Sequence, residues 1–254
     1  MASGSWSEDQ LLNGRVTVCQ PLTGYRVAID PILLAAAVPA KPGEQVLDLG
    51  SGTGVASLCL AARVEGVFIT GLELQTGLID LAGHSAKLSG CRDRVSFVSG
   101  DVLDPPAAIL EQQFDHVIAN PPYMAKESGF PPPDPMKAIA HVEGEAVLAD
   151  WMTLARKLVK PEGTITFIHR YDRRDELLAG LLITEWAITM YPLWSKTFGG
   201  AARRVIIQAH GQRNAETIVA PGLVLHEADG SYTPQVDEVL RNCAPIILSP
   251  LAEG

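Results

Sequence analysis

The stretch Asp48-Leu49-Gly50-Ser51-Gly52-Thr53-Gly54 decides the fold. It follows an apolar run, 45–49, and precedes an alanine- and leucine-rich run, 55–63. Strand, glycine turn, helix is a nucleotide-binding arrangement, because glycines reach backbone angles closed to other residues and let a ligand approach the main chain. The spacing is GxGxG rather than GxGxxG, and no Walker lysine follows. Asp48 stands just before the turn. A carboxylate there repels a pyrophosphate and attracts a ligand with a positive amino group.

Outward from the turn, residues 30–170 alternate strand-like and helix-like segments. Strands are expected at 45–49, 68–73, 95–98, 116–119 and 164–168, with helices at 32–38, 55–63, 76–89, 145–160 and 174–182. That alternation implies βαβ units and a parallel sheet. Asp30-Pro31 reads as an N-cap followed by proline at the first helical position. In 145–160, Val147, Leu148, Trp151, Leu154, Ala155, Leu158 and Val159 keep a spacing of three and four, and Pro161 and Gly163 are expected to end the helix. Residues 186–194 and 204–209 read as two antiparallel strands. The proline-rich run 127–143 has no clean period; it reads as a lid or as a plain surface excursion.

Two further acids share the edge on which Asp48 lies. Glu73 ends the second strand, where a carboxylate can accept from both hydroxyls of a ribose. Asp101 follows the third strand, placed to accept from an adenine amino group. Each acid alone is more often a solvated loop carboxylate. Three at successive strand ends, where open α/β sheets bind ligands, point jointly to an adenosine-type cofactor. S-adenosylmethionine carries an ammonium, a sulfonium and no phosphate, and so matches Asp48.

At the end of the fourth strand stands Asn120-Pro121-Pro122-Tyr123. In isolation it reads equally as a proline-terminated strand. Beside a cofactor edge it reads as a grip on a planar amino group. Such a nitrogen has its lone pair delocalised. Two acceptors on its two N–H bonds, the Asn120 side chain and a proline carbonyl, would let it pyramidalise. Tyr123 can stack on the planar target.

Over about residues 30–170 the chain resembles the class I S-adenosylmethionine-dependent methyltransferases. The resemblance implies a Rossmann-like, mostly parallel seven-stranded sheet with helices on both faces. It implies cofactor contacts from Asp48, Leu49, Gly50, Ser51, Gly52, Gly54, Glu73, Leu74, Asp101, Val102 and Asn120. The Asn-Pro-Pro-Tyr motif is the hallmark of members acting on adenine N6, on the glutamine side chain of release factors or a ribosomal protein, or on guanine N2 of ribosomal RNA.

The flanks resemble the bacterial tRNA-valine adenine-37 N6-methyltransferase family. Asp30, Leu33 and Leu34 match its G-x-D-x-x-L-L-like helix, and the resemblance implies cofactor contacts from Asp30 too, with Tyr25 and Arg26 at the cofactor entrance. Residues 203–206 and 225–233 match its tail. Expected are a strand-rich segment at 1–30, its first ten residues frayed, and a methyltransferase domain at 31–254. Glutamine methyltransferases usually carry a separate N-terminal helical bundle, for which this segment leaves no room. A non-catalytic cofactor-binding subunit would have no need of Asn120, and a small-molecule substrate is a weaker alternative.

The 254 residues, 47% hydrophobic and 19% charged, suit one large domain. The four cysteines lie far apart with no CxxC pair, and the six histidines are scattered, so no metal is expected. The polar, acidic start is not a signal peptide, and no apolar run is long enough to span a bilayer, so a soluble cytoplasmic protein is expected. The expected partner is tRNA, bound by a monomer or homodimer. Arg26, Lys126, Lys137, Arg170, Arg173, Arg174, Lys196, Arg203 and Arg204 are candidate phosphate contacts, chief among them Lys126, Arg173, Lys196, Arg203 and Arg204. The net charge of -9 counts against RNA unless cations gather at the site.

Overall fold

The computed structural model describes residues 6–23, 28–123, 146–182, 186–213 and 217–248. Its framework is one mixed sheet. Strands β3 (Gln45–Leu49), β4 (Phe68–Glu73), β5 (Val95–Ser99), β6 (Phe114–Ala119) and β7 (Val159–Arg170) run parallel, and β8 (Trp186–Trp194) and β9 (Ala202–Arg213) complete seven. β9 is antiparallel to both β7 and β8. Two short strands, β10 (Thr217–Val219) and β11 (Leu223–Val224), add to β8, so the sheet has nine strands rather than the expected seven. Segments of three and two residues are too short to show a period, which is why the sequence hid them.

From one edge the order is β10-β8-β9-β7-β6-β3-β4-β5. The chain winds outward from β3 through β4 to β5, then returns to lay β6 on the other side of β3. The crevice outside the carboxyl ends of β3 and β6 is therefore the topological switch point, where such sheets hold ligands. Asp48 pairs with Ile118 and Leu49 with Ala119, so the glycine turn and Asn120 emerge side by side.

Alternate residues of each strand feed two cores, as a sheet covered on both faces requires. Ile118 and Ile168 join α1 (Asp30–Ala37), α2 (Val55–Arg63) and a tail helix on one face. Val117, Ile165 and Phe167 join α4 (Ala107–Leu110), α5 (Leu148–Leu158) and α6 (Arg174–Leu181) on the other. Between β4 and β5 runs α3 (Thr76–Leu88), and the tail helix is α7 (Pro234–Asn242), capped by the Thr233 hydroxyl accepting from the Val236 amide. Among the described residues, no helix is long and apolar enough to cross a membrane.

Three expectations are corrected. Residues 6–10 are not frayed: β1 (Trp6–Leu11) pairs antiparallel with β2 (Val16–Pro21), and the hairpin docks on α3. The Ser85 and Ser89 hydroxyls accept from the Cys19 and Thr17 amides, and Trp6 meets His84 edge-on. Asp30 is not an N-cap. It is the first residue of α1, behind Ile29, and its carboxylate points into the site. Helix α5 stops at Leu158, so Pro161 and Gly163 lie inside β7 at a bulge, where a Cβ on Gly163 would collide with the Asp115 carbonyl.

Candidate active site

The glycine turn closes against the protein on two sides and opens on a third. The Gly50 and Ser51 amides both donate to the Leu72 carbonyl, at 2.8 and 3.1 Å. Gly50 sits at φ +65, and a Cβ there would lie 2.5 Å from the Trp151 ring. Gly54, at φ +81, is closed in by Phe97 at 2.6 Å. At Gly52, φ +57, a Cβ would meet nothing within 4 Å among the described residues. The hydroxyls of Ser51 and Thr53 are buried without a partner among the described residues.

Two carboxylates floor this opening. Glu73 accepts from the Gly52 amide and from the Gln75 amide, both at 2.9 Å, and so fixes the turn. Burial pushes its carboxyl up, while the Gln75, Gly52 and Leu74 amides pull it back. Asp48 accepts from the Ser57 hydroxyl at 2.6 Å. Burial pushes its carboxyl up to about 7; the Ser57 bond opposes this and the charge of Glu73 adds to it. Ser57, one turn into α2, had escaped the sequence reading because serine in a helix carries no signal of its own.

Asp101 is partly buried, with Oδ1 accepting from the Leu103 amide at 2.9 Å. Leu74 is 58% exposed beside Glu73, while Leu49 is fully buried under the turn. Val102 is partly buried against the second core.

Open, polar and acidic at its floor, this crevice fits S-adenosylmethionine. An ammonium would sit toward Asp48, a ribose at Glu73, and an adenine between Leu74 and Asp101. Because a cationic ligand favours the ionised acid, its affinity should rise as pH climbs from 6 to 8 through the raised value at Asp48. Binding should also release protons. Calorimetry in buffers of different ionisation enthalpy checks this, and pH-independent affinity would contradict the Asp48 contact. Folding stability should move the other way. A carboxyl raised in the folded state contributes stability that is full below the unfolded value near 4 and is lost as pH rises through about 7.

Asn120 to Tyr123 leave the end of β6 beside this opening, braced by three other elements. His169 on β7 is fully buried, and its Nε2 donates to the Pro122 carbonyl at 3.2 Å. Burial pushes this imidazole down to about 4, so it stays neutral near pH 7. Its Nδ1 has no partner among the described residues. The Tyr123 ring meets His169 edge-on, with centroids 5.1 Å apart. From α1, Asp30 Oδ2 bonds the Tyr123 hydroxyl; from β9, Arg204 donates Nε–H to the same oxygen at 2.9 Å and lays its guanidinium 4.7 Å from the Tyr123 ring centroid. Burial alone would lower Arg204, but the Asp30 carboxylate outweighs it and holds the guanidinium above its usual range. Asn120 Oδ1 lies 2.9 Å from the same hydroxyl.

Arg204, read from the sequence as a rim cation, thus lies within the site. The other cations mostly face acids: Arg170 pairs with Asp172, Arg173 with Glu176 and Arg174 with Asp175. Lys196 donates to the Ala228 carbonyl at 3.3 Å, and Arg203 is exposed. Tyr25, Arg26, Lys126, Lys137 and the run 127–143 lie outside the described residues. Sequence reading missed His169 altogether. The signal was there only in its register, since it sits on the strand beside β6, at the same sheet edge as Pro122.

A sheet wound in this order, with a glycine turn and three acids along its switch-point edge, is the architecture of a class I methyltransferase. The chain belongs to the methyltransferase-domain family, whose model matches residues 40–196. A protein from Actinobacillus pleuropneumoniae serotype 7, named tRNA1(Val) (adenine(37)-N6)-methyltransferase, is 30% identical over 222 residues, covering 85% of this chain and 89% of its own. A protein of the same name from Porphyromonas gingivalis is 31% identical over 240 residues, covering 87% and 89%. The crystal structure of a predicted O-methyltransferase from Agrobacterium tumefaciens superposes with a TM-score of 0.70 at 23% identity, over 87% of this chain and 100% of that one, and so shares the fold. The protein is an S-adenosylmethionine-dependent methyltransferase.

Proposed function

We propose that the protein methylates the exocyclic N6 of adenine in tRNA. The observation that carries this reading is the placement of Asn120 and the two prolines beside the glycine turn, with the Pro122 carbonyl already held by His169. That leaves the Pro121 carbonyl, which has no hydrogen bond among the described residues, as the main-chain acceptor. It and the Asn120 side-chain oxygen would take the two N–H bonds of the amino group and turn its lone pair toward the cofactor. When bound, S-adenosylmethionine supplies a methyl group on a positively charged sulfur. No strong base is needed, because the amine becomes acidic only once it is alkylated. The base itself must be splayed out of its loop to reach the crevice beside Tyr123. The likeness to proteins named for adenine-37 of a tRNA supports this substrate over other amines. Nucleoside analysis of tRNA after incubation with the protein and cofactor tests it: N6-methyladenosine is expected, and its absence contradicts the reading.

One observation favours a second reading, methylation of a protein glutamine. The three arginines at 170, 173 and 174 are each paired with a neighbouring acid, so this part of the rim pulls weakly on phosphates. Among the described candidates, Arg203 is exposed and faces no acid, so its loss should be felt. Arg203→Ala should weaken tRNA binding and reduce the slope of log affinity against log salt by about 1. An unchanged slope would remove Arg203 from the RNA surface.

A further inference from the structure

Among the described residues, two side chains, Asp30 and Asn120, would each take the one proton of the Tyr123 hydroxyl. Asp30 Oδ2 is one, and the Asn120 amide, oriented with Oδ1 toward the phenol at 2.9 Å, is the other. A phenol donates once. The Asp30 side chain is 8% exposed and paired with Arg204, whose Nε–H donates to the same Oδ2 at 2.9 Å. A carboxylate paired with a guanidinium accepts only, and it is a stronger acceptor than an amide. The phenol proton therefore belongs to Asp30. The Asn120 atom facing the phenol must then be a donor. Amide oxygen and nitrogen have nearly the same shape, so hydrogen-bond partners alone decide which way the group points.

We propose that Asp30, acting through the Tyr123 hydroxyl, turns the Asn120 amide so that Nδ2 donates to the phenol oxygen and Oδ1 faces the target amino group. Asn120 touches the substrate; Asp30, Arg204 and the Tyr123 hydroxyl are positioning residues. This inference rests on the amino-methyltransferase reading above. It explains why three separate elements, α1, β6 and β9, converge on one phenol. Without the charge at Asp30, the phenol proton can pass to Asn120 Oδ1. The amide then presents N–H to the substrate's N–H, two donors face to face, and the grip is lost.

The test uses Tyr123→Phe, Asp30→Asn and the double variant in the full-length protein. Single-turnover transfer to tRNA at saturating cofactor should fall about tenfold to a hundredfold in each single variant, the scale of a misoriented reacting group. Cofactor affinity in Tyr123→Phe should stay within about threefold, since the grip and not the cofactor site is disturbed. The double variant should be no slower than the slower single one, because both break the same relay. Multiplicative losses, or an unchanged rate in Tyr123→Phe, would overturn the proposal. A second arm needs no substrate: the side-chain NH2 resonances of Asn120 in 15N-labelled protein should move in both single variants, and resonances that stay in place would overturn it too. If wild-type protein transfers nothing to tRNA, the functional reading fails while the resonance arm still decides the positioning of Asn120.

Discussion

Replacing Asn120 with alanine is expected to leave the protein folded, keep cofactor affinity within a few-fold, and lower single-turnover transfer about 10²–10³-fold. The size follows from what the side chain does. Its oxygen is one of two acceptors that pull the target nitrogen out of conjugation, and that interaction strengthens as the lone pair localises, so the loss appears in the rate and not in binding. Folding should be spared because Asn120 is only partly buried and stands at a strand end. Loss of cofactor binding in this variant would show that Asn120 belongs to the cofactor pocket. An unaltered rate would remove it from the chemistry.

Gly50→Ala should instead attack the fold and the cofactor together. At φ +65 a side chain is strained, and the new Cβ would stand 2.5 and 2.7 Å from two atoms of the Trp151 ring. Trp151 belongs to the second core and is 8% exposed, so its ring cannot swing clear without opening that core. Backbone strain and overpacking together should cost about 2–5 kcal/mol of stability, read as a lower midpoint in denaturant, and what remains folded should bind cofactor poorly. Gly52→Ala is the control. Its Cβ would enter open space, so it should cost only about 1–2 kcal/mol of strain yet still weaken cofactor binding by filling the crevice. If Gly50→Ala unfolded like the wild type, the packing of the turn against α5 would not be what fixes it.

The parallel framework was legible because its signals are local. β3 and β4 fall where the apolar runs placed them, and α2 spans the expected residues. The glycine turn and its flanking acids are contiguous with those strands, so their shared edge could be inferred before any coordinates. What stayed hidden depends on contacts distant in sequence. Asp30 looked like a helix cap because Asp-Pro is a common helix start; its partner Arg204 lies 174 residues away. His169 is one more polar residue near a strand end until β7 is laid beside β6. β1 looked frayed because Trp6–Leu11 alternates weakly and carries two acids, and only the docked β2 gives it a partner. Helix α5 was drawn too long because Val159 continues its apolar spacing, although that residue already belongs to β7.

The crevice beside Asn120 is proposed to act on an adenine amino group in tRNA. The most direct measurement offers the protein and methyl-labelled cofactor total tRNA, ribosomal RNA and release factors in parallel, then identifies the labelled product in each. Label recovered as N6-methyladenosine from the tRNA, and lost with Asn120→Ala, is the predicted result. Label found only in protein glutamine, or only in a guanine of ribosomal RNA, would contradict it.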